Sequence, residues 1–136
     1  MATDKKKGKA QEEDRAKEQA KSQLESIRDM VKRLDSDDEE EREQAQQEIQ
    51  EDPLSVEVRS GWYTPGEEHE PAEYMILLCT GGPACRIIGD LGSHNEPENA
   101  RIEYQDWGTP WTRYNEDTQE DREAMLTYAR QFYYGE

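Results

Sequence analysis

The stretch Tyr74-Met-Ile-Leu-Leu-Cys-Thr-Gly-Gly-Pro-Ala-Cys-Arg-Ile-Ile-Gly-Asp-Leu91 decides the fold. Two apolar runs rich in Ile, Leu and Tyr flank the breaker Thr80-Gly81-Gly82-Pro83, which is the pattern of two antiparallel strands joined by a short loop. Within the first run Tyr74, Ile76 and Leu78 fall on one side, and Met75, Leu77 and Cys79 on the other. Both sides are apolar, so the hairpin is expected in the middle of a sheet with both faces covered.

Working outward, Leu54 to Ser60 alternates strictly, with Leu54, Val56 and Val58 expected inward and Ser55, Glu57 and Arg59 outward. This is a first strand, followed by a long loop through Gly61-Trp62-Tyr63-Thr64-Pro65-Gly66 and the acidic Glu67-Glu68-His69-Glu70-Pro71. Beyond the hairpin, Gly92 to Asn99 consists of turn formers, and Ala100 to Asp106 alternates again as a fourth strand. Trp107 to Tyr114 is an aromatic segment broken by Gly108 and Pro110, with room for a short edge strand at Trp111 to Tyr114. Thr118 and Asp121 have the spacing of a capping box, with Asp in place of Glu. Met125, Tyr128, Ala129 and Phe132 then keep helical spacing, so a helix over 118–134 should lay that stripe on the sheet.

Upstream of Asp52-Pro53, which ends the helical region because proline displaces its predecessor from the helical basin, the periodicity changes. Leu24, Ile27, Val31 and Leu34 recur at spacings of three and four, backed by Ala16, Ala20 and Met30. Two heptads fall short of a coiled coil, so the stripe docks either on the domain or on a second copy of the helix. Ser36 reads as the N-cap of a second helix over 37–50 that offers only Ala45 and Ile49 as apolar contacts. Met1 to Lys9, with its lysine run, reads as a disordered basic tail. The expectation is an α+β protein: N-terminal helices, an antiparallel four- to five-stranded meander sheet, and a C-terminal helix packed on the sheet. Its divisions are a tail at 1–9, a helical N-terminal extension at 10–52, and an α+β domain at 53–136.

Composition divides the chain the same way. The 136 residues are 32% hydrophobic and 37% charged, yet the 3 Trp, 7 Tyr and 1 Phe all lie between Trp62 and Tyr134. The formal net charge of -16 is also uneven, because residues 53–136 hold 6 basic and 16 acidic side chains and no lysine. Such a surface repels phosphate backbones, so its expected partners are basic surfaces and not nucleic acid. No apolar run is long enough to span a bilayer and no signal peptide is apparent, so the reading is cytoplasmic with no membrane partner. In that compartment Cys79 and Cys85 are expected as free core thiols.

No catalytic signature is present. Thr80-Gly-Gly-Pro83 lacks the lysine and following helix of a phosphate-binding loop. Cys79, Cys85, His69 and His94 lack the paired spacing of a zinc site, so neither metal nor cofactor is expected. Asp90, Glu103 and Asp106 match no metal-binding pattern, but they are the carboxylates that a metal-dependent hydrolase, the alternative reading, would use. The aromatics in Gly/Pro-broken segments are the better lead. Trp62, Tyr63, Trp107 and Trp111, with Tyr114, Arg113 and the acids Glu67, Glu68, Glu70 and Asp106, either close the ends of a small sheet or form a partner-contact patch.

Three segments carry a resemblance: Leu54-Ser-Val-x-Val-Arg-Ser-Gly-Trp62, Thr80-Gly-Gly-Pro-Ala-x-Arg-Ile88, and Tyr104-Gln-Asp-Trp-Gly-Thr-Pro-Trp-Thr-x-Tyr114, with Phe132-Tyr-Tyr-Gly135 at the end. Together they resemble a family of small proteins of unassigned function encoded by phages, prophages and plasmids of Gram-negative bacteria. The resemblance spans about residues 52–136, implies a mobile-element context, and carries no site residues. The functional expectation is therefore not an enzyme but an acidic mobile-element protein that occupies the basic surface of a host nucleic-acid-binding enzyme or defence complex. A third reading is an assembly protein dimerising through Leu24, Ile27, Val31 and Leu34.

Overall fold

In the computed structural model the backbone is described for residues 2–106 and 109–135, with side chains from Arg15 onward. Helices α1 (Ala2–Leu34) and α2 (Glu39–Glu51) precede strands β1 (Ser55–Ser60), β2 (Pro71–Cys79), β3 (Ala84–Asp90), β4 (Arg101–Gln105) and β5 (Thr112–Arg113), and α3 (Gln119–Ala129) closes the chain. The strands form one antiparallel sheet in the order β1-β2-β3-β4-β5, the meander expected from the alternating segments. The central hairpin pairs Ile76 with Ile87 and Cys79 with Cys85. Its turn places Gly81 at φ 93°, a left-handed conformation that residues with a Cβ avoid.

Among the described residues the helices cover one face of the sheet. Tyr74, Ile76, Leu78, Cys85, Ile87 and Ile102 share a core with Leu24, Ile27, Met30, Ile49, Met125 and Tyr128 from the helices. Met75 and Leu77, on the other face, are half-buried, contrary to the expectation that both faces would be covered. Long polar side chains do the shielding there: Arg86 reaches the Met75 sulfur at 3.6 Å and lies over the Trp111 ring at 4.2 Å. A guanidinium stem can cover apolar surface as a helix would, so apolar residues at successive positions of a strand do not require two protein layers.

The helical region is a layer of the core and not an extension. Ile27 and Ile49 are fully buried, Leu24 is 3% exposed, and Val31 and Leu34 pack against the same cluster. The stripe of α1 thus docks on its own chain, and the surface offered to a second helix copy is already occupied. Ion pairs fasten the layer: Lys17 to Glu116 at 2.6 Å, Arg28 to Asp121 at 3.1 Å, and Arg33 to Glu48. The hydrogen bond between Lys17 and Glu116 raises the pKa of the one and lowers that of the other.

Four further details depart from expectation. The backbone is helical from Ala2, inside the segment read as a tail, because lysine is a good helix former and extending a helix costs far less than starting one. The N-cap of α2 is Asp38, whose carboxylate accepts the Glu40 N–H; Ser36 accepts the Asp38 N–H one step earlier. Leu54 and Val58 are 59% and 43% exposed, because Val58 lies on the outermost strand and Leu54 directly precedes it, while α1 packs over β3 and β4. The C-terminal helix ends at Ala129, short of Tyr134; the Tyr134 hydroxyl instead donates to the Ala129 carbonyl at 2.6 Å. The Thr118–Asp121 capping box is present as read, with both reciprocal hydrogen bonds.

Candidate functional site

The β1–β2 connection, residues 61–70, is exposed at every position. Thr64-Pro65-Gly66-Glu67 folds it into a turn: the Glu67 N–H donates to the Thr64 carbonyl at 3.0 Å and Gly66 takes φ 89°. Proline followed by a left-handed glycine is the type II arrangement, so the sequence itself fixes this turn. The turn lets Tyr63 stack on His69, with ring centroids 4.2 Å apart and planes 11° from parallel. Trp62 is fully exposed at 105%. Glu67, Glu68 and Glu70 flank His69 in sequence and are exposed, and none of them has an ion pair among the described residues. The site is therefore a braced loop with aromatic faces and three carboxylates that have no ion-pair partner among the described residues. Its base is held by the cross-strand pair of Arg59 and Glu73.

The other predicted contact residues lie elsewhere. Asp106 is buried after β4; its N–H donates to the Thr109 hydroxyl at 3.0 Å, and that hydroxyl donates back to the Asp106 carbonyl at 2.9 Å. Trp111 is half-buried beneath Arg86, Arg113 is exposed on β5, and Tyr114 is buried in the core. Trp107 lies outside the described residues. In a meander the first and fourth connections leave the sheet at opposite ends, and here they also belong to opposite edges. Trp62 and Tyr63 therefore cannot form one patch with Trp111 and Arg113. Counting connections along the sequence would have revealed this, because successive loops alternate ends.

The carboxylates of the hydrolase reading are also kept apart. Asp90 is exposed and accepts a hydrogen bond from Asn99 at 2.9 Å. Glu103 is occupied by Arg86 at 2.8 Å and Arg101 at 3.5 Å, and Asp106 follows the far end of β4. Among the described residues no three His, Cys, Asp or Glu side chains gather as metal ligands. Cys79 and Cys85 are free thiols facing across the hairpin, and burial first, then the proximity of Cys79, pushes the Cys85 thiol well above its ordinary pKa. A thiol held protonated is a poor nucleophile.

The charge that remains is concentrated in short stretches. Arg59, Arg86, Arg101, Arg122 and Arg130 each face a carboxylate of their own chain. The turn between α1 and α2 and the start of α2 expose Asp35, Asp37, Asp38, Glu39 and Glu40, with Ser36 half-buried between the first two. The loop at 67–70 is the second such stretch.

Fold and site together describe a small α+β protein with one helical layer on an antiparallel meander and a braced acidic loop at the sheet edge. No family model, curated protein or solved structure matches the chain. Among the described residues no helix is long and apolar enough to cross a membrane.

Proposed function

We propose that this is an acidic binding protein that docks its β1–β2 loop on the basic, nucleic-acid-binding surface of another protein, and so inhibits it. The mobile-element resemblance suggests a host enzyme or defence complex as that target. The observation that carries the reading is the loop at 61–70: Glu67, Glu68 and Glu70 stand exposed in the same loop as the Tyr63–His69 stack, with no ion pair among the described residues. Carboxylates spaced along a braced loop can replace phosphates on a cationic groove, and an aromatic face beside them supplies the apolar contact that such an interface needs. The pairing of most arginines within the chain supports the same reading, because it leaves the surplus negative charge outward. Attraction of this kind acts over a Debye length of about 8 Å at physiological ionic strength and weakens with salt.

The test is capture from lysate of the implied bacterial hosts with the immobilised protein, followed by elution with salt and, separately, with duplex DNA. The expected result is a nucleic-acid-binding partner released by both, whose capture is lost in the Glu67→Gln, Glu68→Gln, Glu70→Gln variant. A partner that DNA does not displace, or equal capture by the variant, would refute the reading.

A further inference from the structure

The two edges of the sheet are built differently. β5 is two residues long, too short to template another strand, as natural edges commonly are. β1 presents six residues with no proline and no lysine. The irregularity beside it does not interrupt it either. Arg59 faces Glu73 while Ser60 faces Pro71, so the extra residue, Ala72, belongs to β2 and β1 stays regular. Of the usual devices that keep an edge from pairing, β1 therefore lacks proline, lysine and a bulge of its own, and its two charged side chains, Glu57 and Arg59, are of opposite sign.

Three of the exposed apolar side chains lie in or beside this strand. Leu54, Val58 and Trp62, at 59%, 43% and 105% exposure, follow one another at intervals of four residues. Val58 lies at the midpoint, with Glu57 on one side of it and Arg59 on the other. A strand with that order is complementary to itself when turned end for end.

We propose that β1 pairs antiparallel with β1 of a second copy of this chain, about a twofold axis at Val58, joining two five-stranded sheets into one continuous sheet. In this register Val58 faces its counterpart, and Glu57 of each copy faces Arg59 of the other. Leu54 of one copy comes toward Trp62 of the other, at both ends of the interface. Arg59 already holds Glu73 from its own β2, so the added Glu57 gives it a second carboxylate on the opposite side. Glu57 has no ion pair within its own chain among the described residues, and the second copy supplies one.

Charge also selects the register. A slip of two residues in either direction sets Glu57 against Glu57 or Arg59 against Arg59, and like charges directly opposite one another destabilise a strand pair. The helical layer does not obstruct the approach, because none of the helices packs extensively on β1; Val56 turns into the core, while Glu57, Val58 and Arg59 stay exposed. The pairing uses Trp62 but leaves Tyr63, His69 and the loop glutamates outside the strand contact, so it stands or falls separately from the proposed partner.

The test is the oligomeric state of the full chain, read by sedimentation equilibrium across a dilution series, with circular dichroism confirming that each variant is folded. The wild type is expected to be a dimer that dissociates on dilution. Glu57→Arg alone and Arg59→Glu alone each put like charges at two positions of the interface, and each should raise the dissociation constant about tenfold or more. Mixing the two variants should restore a dimer, because each position 57 then faces a position 59 of opposite charge: one such pair has its signs exchanged and the other keeps the native Glu57 and Arg59. Both side chains are exposed in the monomer, and Arg59→Glu gives up only the surface pair with Glu73, so the single variants retain the fold. A wild type that stays monomeric at every concentration overturns the proposal, as does a dimer indifferent to both reversals. Failure of the mixture to form a heterodimer assigns any wild-type dimer to another surface and overturns it too.

Discussion

Replacing Ile27 with alanine tests whether α1 is part of the core or an appendage to it. Ile27 is fully buried in a cluster that includes Tyr74, Ile76, Ile87 and Ile102 of the sheet. Truncation removes a branched side chain and leaves a space that the strands opposite, held by their ladder, can only partly close. Buried Ile→Ala changes cost about 2–5 kcal/mol, and a site at zero exposure against a sheet belongs near the middle, at about 3–4 kcal/mol. That is a large share of the about 5–15 kcal/mol that holds a domain of this kind, and it lowers the thermal midpoint by about 10–15 °C. The assay is urea unfolding followed by two probes at once. Trp111 is half-buried beneath Arg86 on the sheet, so a change in tryptophan fluorescence reports there, while circular dichroism at the helix band reports largely on α1 and α2. The expectation is a single transition whose midpoint moves equally in both probes. If the helix signal weakens while the fluorescence midpoint stays where it was in the wild type, the shared core is disproved.

Further outcomes follow from the same packing. Burial raises the pKa of the Tyr74, Tyr128 and Tyr134 hydroxyls above the ordinary value, with the hydrogen bond to Asp52 adding to the effect at Tyr128. A raised folded-state pKa means that above about pH 10 the unfolded chain holds fewer protons than the native one, so stability is intact below that pH and declines above it. Each such tyrosine contributes about 1.4 kcal/mol per pH unit, and a thermal midpoint that stays level from about pH 8 to pH 11 would contradict the burial. Gly89→Ala should be among the most damaging small changes, because its Cβ would stand 2.2 Å from the Asn99 carbonyl oxygen and 2.8 Å from the Tyr74 hydroxyl, which bond each other. We expect a loss of about 2–4 kcal/mol by chemical denaturation, and a variant as stable as the wild type would refute the close approach. Arg86→Ala leaves the half-buried Glu103 with Arg101 alone and uncovers Trp111. It should cost about 2–3 kcal/mol and red-shift the tryptophan emission, whereas an unchanged spectrum would argue that Trp111 does not rest on Arg86.

Local chemistry was readable wherever one residue type admits one conformation. Thr118 and Asp121 announced the start of α3 because a side chain three residues on can close both hydrogen bonds. Pro65-Gly66 fixed the turn of the acidic loop, and Gly81-Gly82 separated the strands of the central hairpin. The candidate loop was legible for the same reason: its acids and aromatics are contiguous in sequence, so no folding step was needed to gather them. Trp111 and Arg113 share its composition, but proximity in space depends on which end of the sheet a connection leaves.

From sequence alone came the strands, their meander order, the capping of the last helix and the negative charge, since periodicity, turn chemistry and ionisation are properties of neighbouring residues. Tertiary structure alone decided that the stripe of α1 faces its own sheet, that one sheet face has no helix above it, and that the edge of β1 remains open. The physical reason is that an apolar stripe specifies a need for cover and not the identity of the covering surface. That identity is set by which elements meet when the whole core closes.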